Sequence, residues 1–193
     1  MIKSYYEKGG ICLDWTELEN SCRECTKCSI GSKKKNCVFG CGNQNADIMF
    51  IGEAPGQSED EMGIPFVGKA GKHFDKFLTA LGMDREEVYI ANILKCRPDN
   101  NRDPLPEEQD NCIGYLREQV KLVRPKLIVC LGRISAMRLI KPDFKITKEH
   151  GIFFKKGNYT VCAVYHPAAL LRDPSKNQDM YIDMKKISQF LNN

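Results

Sequence analysis

Ten cysteines stand in this chain of 193 residues, and three of them, Cys22, Cys25 and Cys28, fall three apart in SCRECTKCSI, residues 21–30. Thiols grouped in this way suit a soft metal centre, because thiolate sulfur is a preferred ligand of zinc and of iron–sulfur clusters. The N-terminal stretch MIKSYYEKGGICLDW has no apolar leader segment, so a cytoplasmic protein is expected. Thiols stay reduced in that compartment, which favours metal binding or catalysis over disulfides. Three arrangements are open. A ferredoxin-like run would use C-x2-C-x2-C, but Ser32 and Lys33 stand where the fourth Cys and its Pro belong. A local zinc knuckle would use Cys25, Cys28, Cys37 and Cys41. Alternatively, the N-terminal thiols are half of a site completed far along the chain. Cys130 and Cys162 sit in apolar runs and read as small core residues, while Cys12 stands alone in a polar segment.

The other residues able to do chemistry come directly after apolar runs. GEAPGQSEDEMGIPFVGKAG, residues 52–71, is rich in Gly and Pro and holds four acids, Glu53, Glu59, Asp60 and Glu61. It lacks the GxxxxGK[ST] phosphate loop, and its acids would repel a phosphate. Asn92 ends VYIAN, and His166 opens HPAALLR directly after YTVCAVY, held by Pro167. A single His in such a place is usually structural. An acid after the first strand and a His after the last make a pair of interest.

The elements that must position these residues can be read from periodicity. DIMFIG (47–52), VYIANIL (88–94) and KLIVCLG (126–132) predict strands; IFFKK and YTVCAVY predict two more. Phe74, Phe77, Leu78 and Leu81 recur at helical spacing from Gly68 to Gly82. Cys112, Leu116, Val120 and Val123 share one face of a longer helix opened by Pro104 and Pro106. A short helix is expected over 133–140 and a final one over 178–191. Strands alternating with helices predict an α/β fold, a three-layer α/β/α sandwich around a mostly parallel sheet. In such sheets ligands gather beyond the carboxyl ends of the strands. One domain over 1–193 is expected, with an irregular cysteine-rich cap at about 1–45. The composition, 42% hydrophobic and 28% charged, is that of a globular protein, and no apolar run approaches the roughly 18 residues of a membrane helix. A net charge of +4 is compatible with a polyanionic partner without requiring one.

GEAPG…PFVGKAG, YIANILKCRP and HPAALLR, in this order and with these cysteines, together resemble the uracil-DNA glycosylase superfamily, specifically its iron–sulfur family 4. The resemblance runs from about Cys25 to near the C-terminus. It implies a [4Fe–4S] cluster held by Cys25, Cys28, Cys96 and Cys112, which leaves Cys22, Cys37 and Cys41 over. It implies uracil-containing DNA as partner, a chain acting as a monomer away from membranes, and hydrolysis of the N-glycosidic bond to free uracil and an abasic site.

By the same resemblance, Phe66 stacks on the flipped base and Asn92 reads its O4 and N3–H. His166 donates to O2 as charge builds, and Glu53 orients the water, with Glu59 or Asp60 able to share that work. Ala54 and Gly56 line the pocket. Leu170, Leu171 and Arg172 match a loop that wedges into the minor groove. Lys33, Lys34, Lys35, Lys95, Arg97, Arg102 and Lys176 are candidate phosphate contacts. Two other readings stay open: a catalytically silent DNA-binding module with a zinc or iron–sulfur cap, and a relative acting on another deaminated base.

Overall fold

The computed structural model describes residues 14–192; Cys12 and the first part of the cap lie outside them. Five-residue runs such as IMFIG and LIVCL are buried along their whole length, as strands covered on both faces must be. They form a six-stranded sheet of β1 (Cys41–Gly42), β2 (Ile48–Gly52), β3 (Tyr89–Asn92), β4 (Leu127–Leu131), β5 (Phe154–Lys156) and β6 (Tyr159–Val164), ordered β1-β3-β2-β4-β6-β5. The four inner strands are parallel, and only the edge strands β1 and β5 run antiparallel to their neighbours.

Strand alternation sorts the core into two layers. Met49, Ile51, Ile128 and Cys130 face one side, against α4 (Pro106–Val123) and α5 (Arg133–Leu139). Ile48, Phe50, Val129 and Cys162 face the other, against α3 (Lys69–Ala80), α7 (Pro167–Arg172) and α8 (Asn177–Leu191). The result is the expected three-layer sandwich, with α2 (Gln57–Met62) and α6 (Ile146–Glu149) as short additions. β2, β3, β4 and β6 all point their carboxyl ends to one rim. Glu53, Asn92, Gly132 and His166 stand there.

The cap is less irregular than the sequence suggests. α1 (Trp15–Arg23) is a helix closed by a capping box, with Asp14 Oδ1 accepting from Glu17 N at 2.8 Å and Glu17 Oε2 accepting from Asp14 N at 3.0 Å. Its buried side, Leu18 and Cys22, packs with Cys37, Phe39 and Tyr115 as a small third core. The cap is thereby bound to α4.

Candidate active site and cysteine pocket

Two glycines open the rim. A Cβ at Gly52 would run into Asn92 Oδ1 and the Phe66 ring, and a Cβ at Gly132 would stand 2.7 Å from the Cβ of His166. Gly132 also takes φ +94, which a side chain would strain. Small residues at these strand ends let an amide, an aromatic ring and an imidazole approach one place.

Asn92 is 1% exposed, and its Oδ1 is the one buried side-chain N or O atom among the described residues with no hydrogen-bond partner. An orphaned buried acceptor costs about 1–3 kcal/mol, so folds rarely leave one without a use. The Phe66 ring lies 5.8 Å from that of His166 and 6.0 Å from that of Phe74. It is 6% exposed, more deeply set than its polar loop suggests, and belongs to the core layer of α3, α7 and α8.

His166 caps α7, its Nδ1 accepting from Ala168 N at 3.1 Å. The proton therefore sits on Nε2, which is left as a donor. Burial, helped by the Arg172 charge, pushes the His166 pKa down to about 4, so the ring is neutral at ordinary pH. Burial has the opposite consequence for Glu53, raising its carboxyl to about 7; the negative charge of Asp103 adds to this and Arg133 opposes it. The Glu53 carboxylate makes no hydrogen bond or ion pair with the described residues.

Two residues that sequence reasoning leaves aside or misreads shape this loop. Phe66 adopts φ +54, a left-handed conformation that is strained for an aromatic residue by about 1–3 kcal/mol. Glu59 holds it there: Oε1 accepts from Val67 N at 2.9 Å and Gly68 N at 2.8 Å, while Oε2 accepts from Gly56 N at 3.1 Å. On the other flank, Arg85 donates to the Pro65 carbonyl and is itself held by Asp75 at 2.8 Å. The Glu59 carboxylate is therefore committed to backbone amides rather than shared with a water. Asp60 is equally committed, 6% exposed and accepting from Lys35 N at 3.2 Å. Glu59 has a local signal, an acid three residues after Gly56 at a helix start; Arg85, distant in sequence, has none.

Behind the rim, Cys25, Cys28, Cys96 and Cys112 line one pocket with Leu94 and Tyr115. The first two thiols come from the turn after α1, the third lies just beyond β3 and the fourth sits on α4. Lys95 N donates to Cys112 Sγ at 3.3 Å. Among the described residues no three His, Cys, Asp or Glu stand close enough to share a single ion; thiols lining one space are a donor set of the kind that soft metal centres take.

Cys37 and Cys41 do not line this space. Cys41 sits on β1 near Arg85, with its Sγ 3.9 Å from the guanidinium, and Cys37 Sγ lies 3.4 Å from Cys22 Sγ. A knuckle of Cys25, Cys28, Cys37 and Cys41 has no support in this arrangement. Cys22 borders the pocket yet is engaged with Cys37.

Leu170 requires a correction. It is 1% exposed and packs in the α3–α8 core layer, so it cannot wedge into DNA. Leu171 is 46% exposed, and Arg172 beside it is exposed too. Lys95 is also no phosphate contact, being 1% exposed. Of the other basic candidates, Arg102 pairs with Glu108 at 2.5 Å, and Lys34 Nζ donates to the Cys25 and Gly31 carbonyls.

The sequence profile of the Uracil DNA glycosylase superfamily matches residues 39–187. The chain is 45% identical over 173 residues to the type-4 uracil-DNA glycosylase of Archaeoglobus fulgidus, covering 86% of this chain and 87% of that protein. It is 42% identical to the type-4 uracil-DNA glycosylase of Saccharolobus solfataricus (90% and 85% covered) and 38% identical to that of Thermotoga maritima (88% and 90% covered). A match that spans the whole sheet and its rim, with relatives nearly coextensive with it, leaves one placement: the chain belongs to the uracil DNA glycosylase superfamily.

Proposed function

We propose that the chain is a uracil-DNA glycosylase that hydrolyses the N-glycosidic bond of uracil in DNA, giving free uracil and an abasic site. The observation that carries this is the buried, unpartnered Oδ1 of Asn92 at the sheet rim, beside the recessed Phe66 ring, which in turn lies 5.8 Å from the ring of the neutral His166. A uracil-containing oligonucleotide treated with the protein and then with alkali tests it. Cleavage at the uracil is expected, and an uncut strand in both single- and double-stranded form would sink the reading.

A base inside a duplex must leave the stack to be cut, and Leu171, exposed beside Arg172, is placed to fill the gap it leaves. Phe66 supplies the face on which the flipped base rests. Asn92 Oδ1 accepts from uracil N3–H while its amide NH2 donates to O4; cytosine presents the reverse pattern and is rejected. As the bond breaks, positive charge grows on the sugar and negative charge on the uracil. His166 Nε2–H donates to O2, where the charge collects, and needs no ionisation to do so. Glu53, whose carboxylate has no other partner among the described residues, holds the water that meets the sugar, and the backbone of Ala54 and Gly56 closes the pocket around it.

The raised Glu53 pKa gives a pH signature. Below about 7 the carboxyl is protonated, a weak acceptor that can take no proton from the water; above it the carboxylate can. Single-turnover excision should fall about tenfold per pH unit on the acid side and level off on the alkaline side. Glu53→Gln should leave a low, flat profile. His166 adds nothing to this limb, because its own ionisation lies near 4.

The thiol set Cys25, Cys28, Cys96 and Cys112 would hold a [4Fe–4S] cluster, whose chemistry here is thiolate ligation that ties the cap and α4 to the end of β3. No step of the hydrolysis passes through it. Anaerobically purified protein should be brown and carry about four irons per chain. Cys96→Ser should lose iron and lower the thermal midpoint, while Cys41→Ser should keep both. Zinc in place of iron would overturn this assignment.

A further inference from the structure

Lys95 is a lysine with no surface: it is 1% exposed, among the largest fully buried side chains, and makes no ion pair with the described residues. Such burial is costly unless every polar group is satisfied. Here each one points at a different part of the site. The main-chain N–H donates to Cys112 Sγ at 3.3 Å, and the carbonyl accepts from Val38 N at 2.8 Å in the cap. The Nζ donates to the Asn92 carbonyl at 2.9 Å and to Gln119 Oε1 at 2.6 Å. Gln119 then donates to the Phe39 carbonyl at 2.9 Å and to Tyr89 Oη at 3.0 Å. The peptide that carries the base-reading amide is thus pinned from behind by one side chain, which is fixed in turn to α4 and the cap.

We infer that Lys95 is a positioning residue for base recognition: by holding the Asn92 carbonyl it fixes the angle at which the Asn92 amide meets the uracil edge. This rests on Asn92 being the base reader. A leucine or methionine would fill the same volume at less desolvation cost, and the amino group's distinctive service is the bond to Asn92 O. Buried hydrogen-bond networks of this kind rigidify the groups they touch.

The test compares Lys95→Met with the parent protein on oligonucleotides carrying uracil or 4-thiouracil, in which the O4 acceptor becomes a weak sulfur acceptor. Differences in leaving-group chemistry between the two bases are common to both proteins and cancel in the ratio of their single-turnover rates. The uracil-to-4-thiouracil ratio should fall about tenfold in Lys95→Met, the worth of one well-aligned hydrogen bond. Relative affinity for free uracil over free 4-thiouracil should shift in the same direction. Iron content, DNA affinity and thermal midpoint are controls for a purely structural role, which would slow both substrates equally. An unchanged ratio, or an equal loss on both bases, overturns the proposal. Should Lys95→Met not accumulate as folded protein, Gln119→Met, which removes the far acceptor of Nζ together with the bonds to the Phe39 carbonyl and Tyr89 Oη, decides by the same ratio. A parent protein that cuts neither base refutes the uracil reading itself, an outcome distinct from an active parent whose ratio Lys95→Met leaves unaltered.

Discussion

Replacing Asn92 by aspartate is expected to slow uracil excision by about a hundredfold or more and to open measurable excision of cytosine. The side chain is 1% exposed, so an aspartate there would be driven toward its neutral form. A neutral carboxyl presents one O–H donor and one carbonyl acceptor, which can serve cytosine N3 and the 4-amino group. Against uracil, the form that is ionised at alkaline pH keeps an acceptor for N3–H but offers no donor to O4, so the loss is read there. One mispaired hydrogen bond that sets a buried, charged oxygen against O4 costs about 3 kcal/mol and accounts for a loss of that size. Asn92→Ala is the control: it should lose uracil excision without gaining cytosine. Single-turnover assays on matched oligonucleotides separate the two, and a near-parental rate for Asn92→Asp on uracil would remove Asn92 from the site.

His166→Ala should lower the maximal excision rate by about 10²–10³-fold, the usual worth of one donor aimed at a developing oxyanion, with little change in DNA affinity. The sign of the pH effect gives a sharper check. Because the Ala168 N–H occupies Nδ1 and burial holds the pKa near 4, the ring is already in its working form at pH 6. The acid limb of the parent should therefore track Glu53 alone. If that limb survives in Glu53→Gln and vanishes in His166→Ala, the two assignments are reversed.

The sheet and its rim are largely legible in the sequence, for a physical reason. Strands buried on both faces must be continuous apolar runs, and IMFIG, LIVCL and YTVCAV announce themselves; the residues just beyond their carboxyl ends then form the rim. Asn92 and His166 stand out because polar residues at such places are costly. α1 is hidden although Asp14 and Glu17 spell a capping box, since the cysteines around it suggest an irregular segment held by metal. Leu170 and Leu171 cannot be told apart by sequence, because a six-residue helix has too few turns to declare its buried face. The clamp on Phe66 is out of reach for another reason. A left-handed aromatic is held by Arg85 and Glu59 through backbone groups, and backbone partners leave no trace in residue type. Lys95 shows the same blindness, a charge that reads as solvent-facing and is wholly interior.

The sheet's outermost strands, β1 and β5, are only two and three residues long, and each runs against the direction of its neighbour. An exposed strand edge is a template on which another chain can add itself, and shortening it is a common protection against that. The β-prone inner strands of this chain are flanked on both sides by such stubs. Copies crowded together would meet one another without a long open ladder to zip into, so local concentration need not become aggregation.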